Sequence, residues 1–362
     1  MDRKKILHLI TSLNIGGTEK FLFNLVKYQS GKYDVVIGFL KEFGPVGVEL
    51  RKLGISVYDF SGIKGFFRLI YFIRSFVPDL LHTHLYRANI FGRILSKFSK
   101  NNIVVFSSQQ SMEFYKNKIL TFVDAFSLKF TDCVIANSKF VKDLVVSREG
   151  FESDRVFVVH NGIDFKYYQN TDDIRSEFKF EKDDIVLGYI GRIHKDKGII
   201  YLPDIIKISL EKNQRIKYLI VGRGPLEKYL KSKIAKYKCD KQVVFAGWRY
   251  DLPRVFNAID LCIMPSLEES FPQVCLESLA AGRPIIANDV GGIKEVVKDK
   301  ENGYLIKLGD INSFVDRIIE LSYSQGKRLI LGENGRKLAE SFSIESMLQA
   351  IENIYGKYLV DK

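Results

Sequence analysis

The chain has 362 residues, of which 46% are hydrophobic and 27% charged, and a formal net charge of +12. This length predicts two domains, because single hydrophobic cores rarely extend beyond about 250–300 residues. The composition is that of an ordinary globular protein, and no uninterrupted apolar run reaches the roughly 20 residues of a membrane span. The basic, then apolar start MDRKKILHLITSL lacks a cleavage site, so we expect a first strand there and not an export signal.

The positive charge is concentrated in the first half of the chain. Residues 1–170 hold 24 Lys and Arg against 15 Asp and Glu, whereas residues 171–362 hold 31 against 28. An anionic membrane surface or an acidic substrate is therefore an expected partner of the N-terminal half, and simple solubility is the alternative explanation. Nucleic acid is not expected as a partner, because the usual recognition motifs are missing from the sequence.

The four cysteines lie far apart and form no C-x-x-C pair: Cys133, Cys239, Cys262 and Cys275. Three of them stand in apolar runs, which favours buried free thiols over a disulfide or a zinc site. We therefore expect a reducing compartment and a cytoplasmic location, with peripheral attachment to the inner face of the cell membrane left open.

A strand, a glycine turn and an amphipathic helix open the chain. Apolar residues 6–10 are followed by the turn at residues 14–19 and then by apolar residues at helical spacing. The adjacent Gly16 and Gly17 let the backbone approach a ligand, with helix N–H groups behind them; a simple tight turn is the alternative. The G-x-G-x-x-G fingerprint of dinucleotide binding is missing.

Residues 65–76 form a strongly apolar stretch. They are apolar nearly all round and include two arginines, Arg68 and Arg74. The pattern predicts a helix buried between sheet and solvent. A surface patch of aromatic and basic residues that contacts lipid headgroups is the alternative.

Two histidines end the short predicted strand at residues 78–84. The i, i+2 spacing of His82 and His84 places both on one side of an extended segment. A metal site is not expected, because the sequence shows no third ligand nearby. A histidine at the carboxyl end of a strand can hydrogen-bond a substrate hydroxyl or transfer a proton; a plain strand-end histidine is the alternative.

The second half repeats the alternation of strands and helices after a polar linker at about residues 164–184. Strands are predicted at residues 185–190, 218–221, 243–246, 261–264 and 285–287. Two such series imply an α/β protein with two doubly wound domains that face each other across a cleft. We place the first domain at residues 1–166 and the second at residues 167–340. A helix with one apolar face is predicted over residues 339–362.

The first predicted strand of the second domain leads into a cationic turn. Arg192 and Lys197 lie in this turn, which is bounded by Gly191 and Gly198. A forked guanidinium and a point-charge ammonium together suit a diphosphate and can stabilise its charge as a leaving group. Two solvated surface charges are the alternative.

Two carboxylates, Glu269 and Glu277, follow the strand at residues 261–264. Glu269 lies in a loop and can accept hydrogen bonds from sugar hydroxyls. Glu277 lies in the helix that Phe271-Pro272 starts and can hold both hydroxyls of a ribose. The free N–H groups of Val274 and Cys275 would meet phosphate oxygens at the start of that helix. An acidic loop and a solvated helix position are the alternatives.

The whole chain resembles the retaining, nucleotide-sugar-dependent glycosyltransferases of family 4, which have the GT-B fold of two Rossmann-like domains. The spacing Glu269-x7-Glu277 and its continuation LESLAAGRPIIA are the most specific part of the match. The other matching segments are Gly16-Gly17-Thr18-Glu19, His82-Thr83-His84, Asn161-Gly162-Ile163-Asp164, Gly191-Arg192 with Lys197-Gly198, Gly222-Arg223-Gly224-Pro225 and Gly291-Gly292.

The resemblance implies a role for each matching residue. Four residues would be catalytic: Glu269, His84, Arg192 and Lys197. Arg192 and Lys197 would bind the donor diphosphate, Glu269 would contact the transferred sugar, and His84 would face the sugar or the acceptor. Residues implied in donor binding are Gly16, Gly17, Arg192, Lys197, Gly247, Trp248, Glu269, Ser270, Phe271, Pro272, Val274, Cys275 and Glu277. Gly247 and Trp248 would lie near the base. Residues 341–362 would form a helix that crosses back to the N-terminal domain.

The resemblance also implies an activity and leaves alternatives. It predicts transfer, with retention and without a metal or other cofactor, from a UDP- or GDP-sugar to a lipid-linked or saccharide acceptor in cell-surface glycan biosynthesis. Ser270 stands where glycine is frequent in the family, which puts one sugar-facing backbone contact in question. A non-catalytic sugar-nucleotide-binding subunit of a synthase complex is the alternative, although the intact set of charged residues argues against it. An epimerase of similar architecture fits the Glu-x7-Glu context less well.

Overall fold

The structure is a computed structural model, and it describes residues 3–99, 102–112, 117–169, 172 and 174–359. The chain divides into two compact units. The N-terminal unit consists of Met1–Gly162 together with Ile344–Lys362, and the C-terminal unit consists of Ile163–Ser343. Each unit is built around one parallel sheet.

The sheet of the N-terminal unit has seven strands in the order β3-β2-β1-β4-β5-β6-β7. The strands are β1 Lys5–Ser12, β2 Asp34–Glu42, β3 Ser56–Asp59, β4 Leu80–His84, β5 Val104–Gln109, β6 Cys133–Ala136 and β7 Val156–Val158. The order reverses between β1 and β4, because the chain builds outward to β3 and then returns to the other side of β1. The register pairs His8 of β1 with His82 of β4.

Helices cover both faces of this sheet. They are α1 Gly17–Gln29, α2 Pro45–Lys52, α3 Gly62–Phe76, α4 Tyr86–Leu95, α5 Lys118–Leu128, α6 Lys139–Glu149 and α14 Ile344–Leu359. Alternate residues of β1 enter different cores: Ile6 and Ile10 pack with α1 and α14, and Leu7 and Leu9 pack with α3 and α4. This alternation is what a parallel strand buried on both faces requires.

The C-terminal unit has a six-stranded sheet in the order β10-β9-β8-β11-β12-β13. The strands are β8 Ile185–Ile190, β9 Ile216–Val221, β10 Val243–Gly247, β11 Leu261–Met264, β12 Ile285–Asn288 and β13 Gly303–Ile306. The helices are α7 Leu202–Lys212, α8 Glu227–Lys236, α9 Leu252–Ala258, α10 Gln273–Ala280, α11 Ile293–Val296, α12 Ile311–Tyr323 and α13 Gln325–Glu340. One core lies under α7, α8 and α12, and the other lies under α9 and α10.

The structure confirms the predicted α/β class and two series of parallel strands, and all four cysteines are buried and free. Within the described residues, no helix is long and apolar enough to cross a membrane. The predicted linker region contains two single-turn helices, Phe165–Tyr168 and Arg175–Phe178, while residues 170, 171 and 173 lie outside the described part.

Two helix predictions need correction. The helix predicted over residues 339–362 begins only at Ile344, because residues up to Glu340 belong to α13; residues 360–362 lie outside the described part. The stretch at residues 65–76 is helical as predicted, but it is not a buried helix. Gly65, Leu69 and Ile73 of α3 are buried and Phe66, Ile70, Phe72 and Phe76 are half-buried against the same core, while Ile63, Phe67 and Tyr71 face solvent.

Candidate active site

The predicted donor-site residues of the C-terminal unit follow the two strands between which the sheet reverses its order. Arg192 and Lys197 follow β8, and Glu269 and Glu277 follow the adjacent β11. A reversal of this kind opens a crevice beside the carboxyl ends of the strands, where open α/β sheets bind their ligands. The topology therefore places the cationic turn and the acidic loop side by side at the position where a ligand is expected.

Close backbone contact holds the cationic turn against the acidic loop. Gly198 has a φ of +69°, and a Cβ atom there would lie 1.7 Å from the carbonyl oxygen of Pro265. Nearby, the Leu267 N–H donates to the carbonyl of Asp196 at 2.8 Å. A residue with a side chain at position 198 would push the two loops apart, which explains the glycine at the end of the turn.

This contact brings Lys197 and Glu269 together. Their Nζ and Oε1 atoms lie 2.7 Å apart, with 23% of the Lys197 side chain and 9% of the Glu269 side chain exposed. The Ser266 hydroxyl donates to the same Oε1 atom at 2.9 Å. The interpretation of Glu269 as part of a solvated acidic loop is therefore wrong, because its carboxylate is buried and paired.

The loop that carries Glu269 is also held from β12. The side-chain amide of Asn288, the last residue of β12, donates to the carbonyls of Pro265 at 2.9 Å and Ser266 at 3.1 Å. The Gly292 N–H donates to the carbonyl of Glu269 at 2.9 Å. The diglycine turn therefore fixes the backbone from which the carboxylate projects.

Arg192 is the exposed cation of this site. Its guanidinium pairs with Asp196 at 2.9 Å, yet 63% of the side chain remains exposed. The Tyr189 hydroxyl donates to the carbonyl of Arg192 at 2.7 Å and steadies the start of the turn. Burial, reinforced by the negative charge of Glu269, raises the pKa of Tyr189 and keeps this donor protonated. Arg192 can therefore meet an anion from solvent.

Glu277 is buried inside the C-terminal unit, with 3% exposed. It is the fifth residue of α10, and the hydroxyl of Tyr168 donates to its carboxylate. Burial, reinforced by the charge of Glu277, raises the pKa of Tyr168, so that hydroxyl stays protonated. The interpretation of Glu277 as a solvated helix position is wrong, and Tyr168 orients its carboxylate.

The first turn of α10 carries the remaining predicted residues of this stretch. Pro272 precedes the helix, and the N–H groups of Val274 and Cys275 lie in its first turn, where no intrahelical carbonyl is available to them. The side chains of Phe271 and Cys275 are buried, and Ser270 lies between exposed and buried. Backbone groups, rather than side chains, are what this turn can offer a ligand.

Gly247 and Trp248 lie farther along the same edge of the sheet. Gly247 ends β10, where its carbonyl accepts from the Gly222 N–H at 2.7 Å, and the Trp248 indole is about half exposed. Strands β9 and β8 separate β10 from β11, so the distance along the edge is roughly 14 Å. Trp248 therefore lies apart from the two glutamates.

In the N-terminal unit, Gly16 and Gly17 follow β1, the strand beside which this sheet reverses its order. Gly17 begins α1, and the side chain of Glu19 folds back over Gly16, where a Cβ atom would lie 2.4 Å from a Glu19 carboxylate oxygen. Burial raises the pKa of Glu19. The turn is therefore tight and covered by an acidic side chain.

Three buried histidines meet beneath this turn. His82 and His84 of β4 have ring centroids 4.2 Å apart, and His8 of the neighbouring β1 lies 5.3 Å from each of them. His82 contacts the Tyr355 hydroxyl at 2.6 Å and the Ser108 hydroxyl at 2.8 Å. Burial lowers the pKa of all three imidazoles, that of His8 to about 4, so they are neutral near pH 7.

A chain of hydrogen bonds fixes the proton of His84. The side-chain oxygen Oε1 of Gln29, 2.9 Å from His8 Nε2, can only accept, so His8 carries its proton on Nε2. His8 Nδ1 then accepts from His84 Nε2 at 3.0 Å. His84 Nδ1, which has no hydrogen-bond partner among the described residues, is left as an acceptor.

The reason given for expecting no metal at these histidines is wrong. A third potential ligand does lie nearby, because β1 and β4 are neighbours, and ligand atoms of the three residues lie within 4.8 Å of one another. The nitrogens of His8 and His82 that contact Gln29, Tyr355 and Ser108 already have protein partners, so the cluster is held together by hydrogen bonds. The expectation of no metal stays a prediction.

Several residues of the two sites belong to no recognisable sequence motif. Tyr168 lies far from Glu277 in the chain, and Gln29 and His8 belong to elements with no recognisable motif. A buried polar residue in an apolar run, such as His8 in β1, is the one signal that could have indicated the histidine cluster.

Models of two protein families match consecutive parts of the chain. The model described as Glycosyltransferase Family 4 matches residues 15–167, and the one described as Glycosyl transferases group 1 matches residues 170–338. The chain is a family 4 glycosyltransferase. The segment with Gly16, Gly17 and His84 falls in the first match, and the segment with Arg192, Glu269 and Glu277 falls in the second.

Full-length relatives support this assignment. The glycosyltransferase is 24% identical over 360 residues to the Escherichia coli UDP-Gal:alpha-D-GlcNAc-diphosphoundecaprenol alpha-1,3-galactosyltransferase, covering 95% of this chain and 91% of that protein. It is 25% identical to the capsular polysaccharide biosynthesis glycosyltransferase CapM of Staphylococcus aureus, covering 99% and 98%. The protein is thus an enzyme of glycan biosynthesis that uses a nucleotide sugar.

Solved structures show the same fold. Anabaena HepE in complex with UDP superposes with a TM-score of 0.88 at 21% identity, covering 98% of this chain and 100% of that one. TarM superposes with a TM-score of 0.80 at 14% identity, covering 97% and 98%. The two Rossmann-like units of this glycosyltransferase are therefore those of the GT-B fold.

Proposed function

We propose that this glycosyltransferase moves a sugar, with retention of anomeric configuration, from a UDP- or GDP-sugar to a lipid-linked or saccharide acceptor. The observation that carries the proposal is the contact between the cationic turn of Arg192 and Lys197 and the acidic loop of Glu269. Those two segments lie at the point where the sheet of the C-terminal unit reverses. A diphosphate and the sugar attached to it require these two kinds of group next to each other.

Each donor contact follows from the chemistry of one group. The guanidinium of Arg192 and the ammonium of Lys197 would bind the diphosphate, together with the N–H groups of Val274 and Cys275. Glu277, oriented by Tyr168, would accept from the ribose hydroxyls. Glu269 would accept from hydroxyls of the transferred sugar. The exposed indole of Trp248 would lie towards the base.

The proposed transfer takes place on one face of the sugar. The bond between the anomeric carbon and the diphosphate oxygen breaks, and the acceptor oxygen forms its bond to that carbon on the same face. The acceptor proton passes to the departing diphosphate. Arg192 and Lys197 stabilise the charge that develops on the leaving group, and His84 Nδ1 accepts a hydrogen bond from a hydroxyl of the sugar or acceptor. No metal or other cofactor takes part in these steps.

The names of the relatives support a choice among the possible donors and acceptors. The crystallised HepE complex contains UDP, and the E. coli relative is named for transfer to a sugar linked to diphosphoundecaprenol. We therefore favour UDP over GDP and a lipid-linked acceptor over a free saccharide. Free buried thiols fit a reducing cytoplasm, where the enzyme would meet such an acceptor at the inner face of the membrane.

A two-stage experiment tests the proposal. Thermal shifts with UDP, GDP and ADP, and then with their sugars, should show the largest stabilisation with one uridine compound, because a ligand that binds only the folded state stabilises by mass action. Glu269→Ala should then abolish transfer while UDP binding persists. Equal loss of both would contradict the sugar contact, and donor binding without turnover in any acceptor assay would favour a non-catalytic binding subunit.

The diphosphate contact has its own test. Arg192→Ala should weaken binding of UDP far more than binding of uridine, because only UDP carries the charge that the guanidinium neutralises. Arg215→Ala serves as a control of equal charge change, because Arg215 is exposed and precedes β9, at the edge of the sheet opposite the site. Equal weakening of UDP and uridine by Arg192→Ala would remove Arg192 from the diphosphate site.

A further inference from the structure

Three neighbouring helices of the N-terminal unit turn large apolar side chains outward. On α3, Ile63, Phe67 and Tyr71 follow one another at intervals of four residues and are 82%, 64% and 75% exposed. We define the aromatic face as these three residues together with Phe91 and Ile94 of α4 and Ile119, Phe122 and Phe126 of α5. Isolated exposed apolar residues are common, but a contiguous set of this size marks an interaction surface.

The three helices are joined into one layer by contacts between their side chains. The Phe66 ring of α3 lies 6.1 Å from the Phe91 ring of α4. Arg93 of α4 and Asp124 of α5 form a buried ion pair at 2.5 Å. The aromatic face is therefore presented by a rigid layer whose opposite side already packs on the sheet.

An apolar groove opens in this layer between α3 and α4. Its volume is about 470 Å³, and its lining includes Phe60, Ile63, Phe66, Phe91 and Leu95. Ile63 belongs both to the groove and to the aromatic face, so the two are continuous. A space of this size and lining can receive a segment of hydrocarbon chain.

Positive charge predominates around the aromatic face, with Asp59 near Arg68 and Glu152 near Phe122 as neighbouring carboxylates. Residues 60–130 contain ten Lys and Arg against three Asp and Glu, a net charge of +7 out of +12 for the whole chain. Exposed cations on or beside the three helices are Lys64, Arg68, Lys97, Lys118 and Lys129. Helices α3 and α4 contain no carboxylate, and the one in α5, Asp124, is buried against Arg93.

We propose that the aromatic face is a docking surface for an anionic lipid bilayer. Aromatic side chains that project from a basic helical layer enter the headgroup boundary of a membrane, while the cations meet anionic headgroups. A second copy of this chain would bring the same positive charge to the contact and would be repelled. The inference deepens the proposed function, because it places the enzyme where a lipid-linked acceptor lies.

Vesicle flotation tests the proposal without donor or acceptor, so its outcome does not depend on the proposed transfer. We expect the full chain to float with vesicles of phosphatidylglycerol and phosphatidylcholine, to stay behind with phosphatidylcholine alone, and to be released by salt. Lys64→Gln combined with Arg68→Gln should weaken binding roughly 25-fold, since each charge near the surface contributes about fivefold. Lys228→Gln combined with Lys236→Gln on exposed positions of α8 removes the same charge and should change binding less than about twofold.

The aromatic contribution needs separate variants. Phe67→Ser combined with Tyr71→Ser should reduce vesicle binding at least tenfold, and replacing both by Trp should restore or strengthen it. Tyr323→Ser, at a similarly exposed position of the C-terminal unit, is the control. Vesicle binding that does not depend on lipid charge would overturn the proposal, and so would equal losses of vesicle binding in the test and control variants. So would light scattering that shows self-association of the chain through Phe67 and Tyr71.

Discussion

The ion pair between Lys197 and Glu269 makes a stability prediction that the ligand-free protein can answer. Lys197→Met removes the ammonium from the buried Glu269 carboxylate. Of the two contacts described above, only the hydrogen bond from the Ser266 hydroxyl then remains. Breaking one side of a fully buried pair costs about 3–5 kcal/mol. Because Lys197 is 23% exposed, water can partly replace the ammonium, and we expect a loss of about 2–3 kcal/mol.

The two single variants should lose different amounts of stability, and the double variant should regain part of the stability that Lys197→Met loses. Glu269→Gln keeps an acceptor for the Ser266 hydroxyl and leaves Lys197, the more exposed partner, without its carboxylate. It should therefore lower the free energy of unfolding by only about 1 kcal/mol. Lys197→Met combined with Glu269→Gln leaves no unpaired buried charge. It should be more stable than Lys197→Met alone by about 1–2 kcal/mol, the sign expected for coupled residues.

Urea unfolding of the ligand-free variants measures these differences, and thermal unfolding should show the Lys197→Met loss as a decrease in Tm of roughly 4–10 °C. Lys212→Met is the matched control, because Lys212 pairs with Asp316 at 2.8 Å on the surface, where an ion pair contributes about 0–1 kcal/mol. If the Lys197 and Glu269 losses simply add, the two side chains are not paired in the ligand-free protein, and the described contact between the cationic turn and the acidic loop is refuted.

Three further predictions concern the buried polar groups. Stability should fall as pH falls from 6.5 towards 4, because the unfolded chain takes up a proton on His8 near 6.5 and the folded one only near 4. For His8 alone this costs about 3 kcal/mol. His82 and His84 act in the same direction, so His8→Gln should reduce the pH dependence without abolishing it. Tyr168→Phe should destabilise the protein by about 1.5–3 kcal/mol and raise the Kd for UDP about tenfold, since buried Glu277 loses a donor. Gln29→Leu should lower kcat about tenfold with little change in KM for the donor, because the acceptor nitrogen of His84 is no longer fixed.

Each of these predictions has a contrary outcome. For the first, His194→Gln is the control in the other unit, and an unchanged pH dependence in His8→Gln would show that this imidazole is not the group that titrates. For the second, unaltered UDP binding would separate Tyr168 from the ribose contact. For the third, nitrogen-15 histidine spectra should show the proton of His84 on Nε2 in the parent protein. A proton on Nδ1 there would refute the proposed chain of hydrogen bonds.

The sequence predicted the strands well, because strands of parallel sheets are short apolar runs that end at glycine or polar turns. Residues 185–190 and 261–264 were assigned to their observed limits. The position of Lys197 beside Glu269 was not predictable, since it depends on β8 and β11 being neighbours and on Gly198 lying against Pro265. Sequence spacing cannot show which strands are adjacent.

Burial was harder to predict than position. Residues 65–76 are apolar enough to suggest a buried helix, but the sheet covers only one stripe of α3, so hydrophobicity alone gave the wrong environment. The two glutamates gave the opposite error, since charged residues are expected at the surface until a partner such as Lys197 or Tyr168 is known. In both cases the missing information was tertiary contact.

The return of the chain to the N-terminal unit has a consequence for biosynthesis. The C-terminal unit is one continuous segment, Ile163–Ser343, whereas the N-terminal unit lacks α14 until the residues after Ser343 have been translated. Met347, Ile351 and Tyr355 of α14 fill the core beside β1 and β5, and Tyr355 also contacts His82. The second unit can therefore complete its fold on the ribosome before the first. The histidine cluster is assembled only when α14 has left the exit tunnel.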